Sequence, residues 1–243
     1  NFSENEILSP NKCQLFSNEQ YSNHEFPFVP FTENLETFWT WKHCLIEKKN
    51  FLTPAAFVYL PYVFRKKEEN FTYNTSTGMA FSYSFESAIL SSIFEIIERD
   101  SIMIMWHNKL SLPKISLEKS SLPTKAFEFF QKKFRYFDLS RVHCINVTSD
   151  IGIPTIFTVI TGDGSDTEPA MAVGAACRLD PVECLFKSVM EAMQTYAWAR
   201  YLKKEKTIEK DELGQFRVSG FDKHVQRYTK EENLDDADRK SVV

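Results

Sequence analysis

The chain has 243 residues, of which 43% are hydrophobic, and this is enough for one domain with a sizeable buried core. Its formal net charge of -4 provides no basic surface, which argues against nonspecific nucleic-acid binding. No run of about 18 apolar residues occurs, and the first residues lack the pattern of a signal peptide. The sequence therefore predicts a soluble cytoplasmic protein that neither spans a membrane nor binds nucleic acid.

The five cysteines are odd in number and widely spaced, with no CxxC pair. This pattern predicts neither a disulfide framework nor a zinc site. Two cysteines directly follow a histidine, at His43 and at His143, but neighbouring side chains on a strand point to opposite faces. We therefore expect reduced thiols, most of them in the core.

Residues 1–50 contain no motif that indicates a function, and we predict that they form a separate segment of unclear role. Residues 51–243 are predicted to form the catalytic core. At its start, residues 51–64 combine apolar side chains with Pro54 and Pro61, which is typical of strand edges.

Residues 84–107 have the periodicity of a helix, with Ser84 as a potential N-cap and Glu86 in the first turn. One arc of this helix carries a stripe formed by Ala88, Ser91, Glu95, Glu98 and Ile102, and the other isoleucines lie opposite. Two carboxylates at positions i and i+3 can reach one cation, and carboxylate oxygens suit Mg²⁺. The alternative interpretation of this stripe is a solvated face.

Asp100 falls within the isoleucine arc of the same helix. An unpaired charge is expensive among apolar side chains, so we expect Asp100 to pair with a buried partner. Arg99 points in the wrong direction to be that partner. We interpret Asp100 as a structural anchor rather than as a catalytic group.

Beyond Pro113 the sequence predicts a helix over residues 124–134 and two β-rich runs, 143–148 and 153–161. A turn at residues 162–164 precedes a partner strand over 170–177. A second long helix then begins after Asp180, its N-cap, with Pro181 at the first helical position, and runs to about residue 202. These elements predict an α+β fold.

The second helix carries its own polar stripe, with Lys187, Glu191 and Gln194 opposite an apolar arc. A solvated face is again the alternative. The chain has no GxxxxGK[ST] or GxGxxG motif and only seven glycines, so we do not expect backbone amides to cradle a phosphate. If the protein binds ATP, metal ions must bridge the two, because Glu95, Glu98 and Glu191 alone would repel a triphosphate.

Residues 76–100, STGMAFSYSFESAILSSIFEIIERD, resemble the central signature of the YcaO family, with its Gly-x-Ala turn, Glu-x-Ala-Ile step and ExxER motif. A second signature, a strand pair followed by a helix with ExxQ, is matched at Ile153, Pro154, Ala172, Gly174, Asp180, Pro181, Lys187, Glu191 and Gln194. A third segment resembles the Phe-Asp-x-His-x-x-x-Tyr pattern of members that mature thiazole- and oxazole-containing peptides: Phe221, Asp222, His224 and Tyr228.

The resemblance implies mixed β-sheets packed with long helices that carry a carboxylate-lined site for ATP and Mg²⁺. It implies that two Mg²⁺ ions, bridging the ATP phosphates, are held by Glu95, Glu98 and Glu191. The resemblance also implies that Ser91, Lys187 and Gln194 contact the nucleotide and that Arg99 orients the carboxylates or a phosphate, and the turn that begins at Ser76 is expected near the site. The resemblance identifies no catalytic residue.

The activity that the resemblance implies is that of an ATP-dependent (D-type) cyclodehydratase, which forms azolines at Cys, Ser or Thr of a ribosomally made precursor peptide. Its implied partners are that peptide, a ThiF-like leader-binding protein and a later flavin-dependent azoline dehydrogenase, and a homodimer is compatible with it. Three alternatives stay open: a thioamide- or amidine-forming YcaO enzyme, a non-catalytic ATP-binding scaffold, and an α+β domain whose polar stripes face water.

Family domains are longer than this chain, and peptide cyclodehydratases end in a proline-rich tail that reaches the active site. This chain ends at Val243 without such a tail. We therefore expect it to be a partial or degenerate member of the family.

Overall fold

The computed structural model describes residues 7–65, 69–135, 137–204, 225, 229 and 230. It divides the chain into two compact units, Asn1–Ser76 and Thr77–Val243. The predicted division into residues 1–50 and 51–243 concerned function, and it stays a prediction. The segment with Phe221, Asp222, His224 and Tyr228 lies outside the described residues. No helix among the described ranges is long and apolar enough to cross a membrane.

The first unit contains a short helix and a β-hairpin. Helix α1 spans Asn18–Tyr21, and strands β1 (Trp39–Cys44) and β2 (Lys49–Pro54) pair antiparallel. Its core is aromatic, with Phe71 fully buried and stacked on Phe31. The sequence did not predict β1, because none of its six side chains is buried and no alternation of apolar and polar residues runs through the whole strand.

The second unit contains α2 (Phe85–Asn108), β3 (Lys114–Ile115), α3 (Thr124–Lys133), β4 (Val142–Asn146), β5 (Thr155–Thr161), β6 (Met171–Cys177) and α4 (Pro181–Lys204). Its four strands form one antiparallel sheet in the order β3-β4-β5-β6, with β6 at an edge. The predicted α+β class is confirmed, and the long helices and principal strands lie where the sequence placed them.

Both long helices begin at the side chains that the sequence indicated. The Ser84 hydroxyl accepts from the backbone N–H of Ser87 at 3.2 Å. Asp180 accepts from the backbone N–H groups of Val182 and Glu183, each at 2.8 Å. These hydrogen bonds satisfy amides that have no partner within the helix, so each cap fixes where its helix starts.

The alternation of side chains along β6 places α2 and α4 on opposite faces of the sheet. Ala172 and Ala176 pack in one apolar cluster with residues of α4, whereas Met171 and Ala175 pack in another with residues of α2. Successive residues of a strand point to opposite faces, so a seven-residue strand can serve both helices. The sheet is therefore sandwiched between the two helices that carry the polar stripes.

Gly174 allows α4 to approach β6 closely. A Cβ atom at this position would lie 2.1 Å from the backbone nitrogen of Ala192 and 2.6 Å from the carbonyl oxygen of Ser188. These neighbours are helix backbone, so only a shift of the whole helix could relieve the clash.

We expect Gly174→Ala to lower the free energy of unfolding by roughly 1–3 kcal/mol through overpacking. Chemical denaturation would measure it, with Gly152→Ala as the matched comparison. Gly152 has no atom within 4 Å of an added Cβ but has a φ of +76°, so its substitution tests backbone strain without a clash. Equal stability of Gly174→Ala and the wild type would contradict the close approach.

The buried face of α2 differs from the prediction. The helix buries Phe94, Ile97, Glu98, Ser101, Ile102 and Met105. Three isoleucines of the predicted apolar arc instead face outward, since Ile93, Ile96 and Ile104 are 44%, 52% and 43% exposed, whereas Ile97 is buried. The prediction for Asp100 was wrong: it is exposed, because it lies on this outward arc and not in the core. An apolar arc identified only by periodicity does not show which side of an all-round apolar helix packs inward.

The thiols are as predicted. All five cysteines are free, and Cys144, Cys177 and Cys184 are buried. Burial raises the pKa of Cys144 to about 11 and that of Cys184 to about 12. These two groups are therefore neutral thiols at physiological pH, which makes them poor nucleophiles.

Candidate functional site

The carboxylates of the two polar stripes lie close enough together, beside edge strand β6, for their charges to interact. Glu98 projects from α2 and Glu191 from α4, and the charge of Glu191 acts directly on Glu98. Glu95, one turn before Glu98, acts in turn on Glu191. The fold thereby brings together stripes that are more than ninety residues apart in the sequence.

Glu98 is the most deeply buried of these carboxylates, with its side chain 7% exposed. Burial and the charge of Glu191 raise the pKa of Glu98 from 4.5 to about 7, although Arg99 opposes the rise. An acid with this pKa is only half ionised at neutral pH. A bound cation would favour its ionised form.

The pKa of Glu191 is also raised. It is half-buried, and burial raises the pKa of its carboxyl group. Arg99, the backbone amide of Ala175 and Lys187 favour the ionised form and limit this rise. The edge position of β6 leaves the Ala175 amide able to act on this side chain.

Arg99 holds two of the carboxylates together. Its Nε donates to Oε1 of Glu95 at 3.0 Å, and one of its terminal nitrogens lies 3.7 Å from Oε1 of Glu98. Burial lowers the pKa of Arg99, but the charges of all three glutamates outweigh it and the net shift is upward. The guanidinium is thus a permanent cation within an acidic cluster.

The other predicted residues differ in how closely they join this cluster. Lys187 is exposed and acts on Glu191 through its charge. Ser91 is half-buried and Gln194 is exposed, and within the described part of the chain no side-chain hydrogen bond joins either to the carboxylates. Ser76 is the last residue of the first unit. The roles of Ser91, Gln194 and Ser76 stay predictions.

The donor set fits a hard divalent cation. Glu95, Glu98 and Glu191 offer only oxygen ligands, the type that Mg²⁺ prefers. They do not form a preassembled cage, since no three His, Cys, Asp or Glu side chains among the described residues are grouped to hold a metal ion. Like charges on the three carboxylates repel one another, and a bound cation would offset this repulsion.

Arg178 is a further cation near the carboxylates, and the sequence did not indicate it. Arg178, between β6 and α4, favours the ionised form of Glu98 through its charge. The available signal was a basic residue two positions before the Asp180 cap, at the junction of a predicted strand and helix. This signal is weak, because arginine is common at the ends of helices and strands.

The fold is shared with solved heterocyclases. The heterocyclase TruD superposes with a TM-score of 0.61 at 25% identity, over 77% of this chain and 28% of its own. A heterocyclase in complex with substrate and cofactor gives a TM-score of 0.72 at 22% identity, over 99% of this chain and 31% of its own. The microcin synthetase McbBCD complex of E. coli gives a TM-score of 0.64 at 17% identity, over 84% of this chain and 50% of the matched chain.

This chain therefore spans half or less of the length of these structural relatives. A search of curated protein sequences returned no match. The sequence model of one family, described as YcaO cyclodehydratase, ATP- and Mg²⁺-binding, matches residues 1–241, which includes the first fifty residues. The match covers nearly the whole chain, and the protein belongs to the YcaO family.

Proposed function

We propose that this chain carries the nucleotide-binding core of an ATP-dependent peptide cyclodehydratase. The observation that carries the proposal is the buried carboxylate of Glu98 beside Glu191 and Arg99. Two carboxylates sharing a partly buried site are costly unless a cation neutralises them. The description of the family as ATP- and Mg²⁺-binding supports MgATP as the source of that cation.

In this proposal Glu95, Glu98 and Glu191 hold Mg²⁺. When bound, Mg²⁺ neutralises the phosphates and stabilises the charge of the transferring phosphoryl group. Arg99 orients Glu95, to which it is already hydrogen-bonded. Further contacts to the nucleotide are proposed for Ser91, Lys187 and Gln194, and the turn that begins at Ser76 is proposed to lie near the site.

The proposed reaction starts when the thiol or hydroxyl of a Cys, Ser or Thr in the precursor peptide adds to the carbonyl carbon of the preceding amide. The former carbonyl oxygen then takes the γ-phosphoryl group of ATP, and ADP is released. Phosphate departs with that oxygen as the amide nitrogen loses its proton, and the C=N bond of the azoline forms. Phosphorylation is needed because the oxygen is a very poor leaving group at neutral pH.

The partners are proposals as well, because this chain spans only part of its structural relatives. The precursor peptide needs a recognition module, and we propose a separate ThiF-like leader-binding protein for this task. A flavin-dependent dehydrogenase would oxidise the azolines later. Assembly of a microcin synthetase from several components supports a multi-protein arrangement, and a cytoplasmic location would give access to ATP and to newly made peptide.

The test combines the chain, MgATP, a candidate precursor peptide and its ThiF-like partner. We expect release of one ADP and one phosphate for each ring, and a peptide that loses the mass of one water per ring. A peptide in which sulfur replaces an amide oxygen would instead identify thioamide-forming chemistry. A macrocyclic amidine product would identify amidine-forming chemistry. Binding of MgATP without peptide-dependent hydrolysis would identify a non-catalytic scaffold.

A further inference from the structure

Arg178 follows directly after β6 and lies three residues before α4. Its backbone N–H donates to the carbonyl oxygen of Pro154 at 3.0 Å, so the main chain at this junction is fixed. Its side chain is only 18% exposed. A guanidinium this well covered is expected to have a partner, because removing a charge from water is expensive.

The neighbours of Arg178 hold the guanidinium without neutralising it. The group lies over the ring of Phe94, 5.5 Å from its centroid, and donates to the carbonyl oxygen of Cys177. The ion pair that the described residues give it is with Glu183, at 3.7 Å. The side chain of Glu183 is 65% exposed, so this long contact contributes little.

The position of Arg178 relates it to the carboxylates. Phe94, on which the guanidinium packs, lies one turn before Glu98 on α2, and the positive charge reaches Glu98. The proposed nucleotide contacts Ser91 and Lys187 also lie about one turn before Glu95 and Glu191. Arg178 is therefore at the same end of the cluster, toward the starts of α2 and α4.

We propose that Arg178 is a phosphate-binding residue of this site and that its guanidinium donates to an oxygen of the nucleotide polyphosphate. This inference rests on the proposed function. Arginine presents paired donors that match phosphate oxygens, and stacking on a ring leaves the edge of the guanidinium free to donate. The three glutamates and Arg99 together carry a net charge of -2. The positive charges of Arg178 and Lys187 offset this net charge when the polyphosphate enters with its Mg²⁺.

The test is calorimetry at pH 8.5 with two probes, MgATP and magnesium tripolyphosphate, which lacks base and ribose. We expect Arg178→Gln to weaken the binding of both probes by about tenfold or more, the loss of one charge-assisted contact. Arg178→Lys restores part of the affinity because it keeps the charge. Glu183→Gln, which removes the exposed partner, leaves the affinity unchanged or raises it.

Binding of Mg²⁺ alone separates this role from a structural one. We expect Arg178→Gln to bind Mg²⁺ as the wild type does and to keep its melting temperature within a few degrees. Parallel loss of Mg²⁺ binding, or unchanged affinity of Arg178→Gln for tripolyphosphate, would overturn the assignment. A wild-type chain that binds neither probe would overturn the proposed function itself, whereas equal MgATP binding by wild type and Arg178→Gln overturns only this inference.

Discussion

Glu191→Gln is expected to weaken the binding of MgATP about 100-fold, equivalent to about 2.7 kcal/mol. The substitution keeps the size of the side chain and removes the charge that α4 contributes to the cluster. A neutral amide offers one weak oxygen ligand, and Mg²⁺ sheds its water reluctantly for such a ligand. Calorimetry of MgATP at a fixed excess of Mg²⁺ would measure the change.

The matched control is Glu128→Gln on α3, where the glutamate is exposed. It makes the same chemical change outside the cluster, and we expect MgATP affinity to stay within twofold of the wild type. Circular dichroism and melting temperature establish that both variants are folded. Equal affinities of Glu191→Gln and Glu128→Gln for MgATP would contradict a role of Glu191 in the site.

Glu98→Gln is expected to stabilise the metal-free chain at pH 8.5 by about 3 kcal/mol and to lose most of this effect near pH 5. The pKa of Glu98 rises from 4.5 in the unfolded chain to about 7 in the folded one. Each unit corresponds to about 1.4 kcal/mol, so the folded state binds the proton more tightly. The stabilising contribution of protonated Glu98 to the folded chain is fully present below pH 4.5 and is lost as the pH rises through about 7.

Denaturation in EDTA at pH 5, 7 and 8.5 would measure this effect. Glu86→Gln, in the exposed first turn of the same helix, is the control, and we expect a change of under about 0.5 kcal/mol there. Mg²⁺ should reverse the order of stability at pH 8.5, because it binds the ionised wild-type carboxylate and not the amide. Destabilisation by Glu98→Gln in EDTA at pH 8.5 would contradict the buried, unneutralised charge.

The sequence predicted those elements whose signals are local. Ser84 and Asp180 mark the starts of α2 and α4 because capping depends on the next three residues alone. The three longer strands of the second sheet were also predicted, since buried, largely apolar strands of five to seven residues between turn residues are recognisable without tertiary information. Strand β1 was missed because its exposed side chains carry no such pattern.

The prediction of the site depended on chemistry and not on packing. Both polar stripes were identified, yet the isoleucine arc of α2 was expected to be the buried face, and Asp100 was placed in the core with it. The structure buries the side of α2 that contains Glu98. Periodicity gives the angle between two faces of a helix, but the neighbouring elements decide which face turns inward. Arg178 was missed because its proximity to Glu98 depends on how α2 packs against the end of β6.

Calorimetric titration of the wild-type chain with ATP, with and without Mg²⁺ at pH 8.5, tests the central claim most directly. We predict binding in the presence of Mg²⁺ and none in EDTA, because the three glutamates repel the bare triphosphate. Affinity for MgATP should fall about tenfold for each pH unit below 7, as Glu98 takes up a proton in competition with the metal. Equal binding with and without Mg²⁺, or MgATP binding that does not change between pH 8.5 and pH 5.5, would contradict a site formed by Glu95, Glu98 and Glu191.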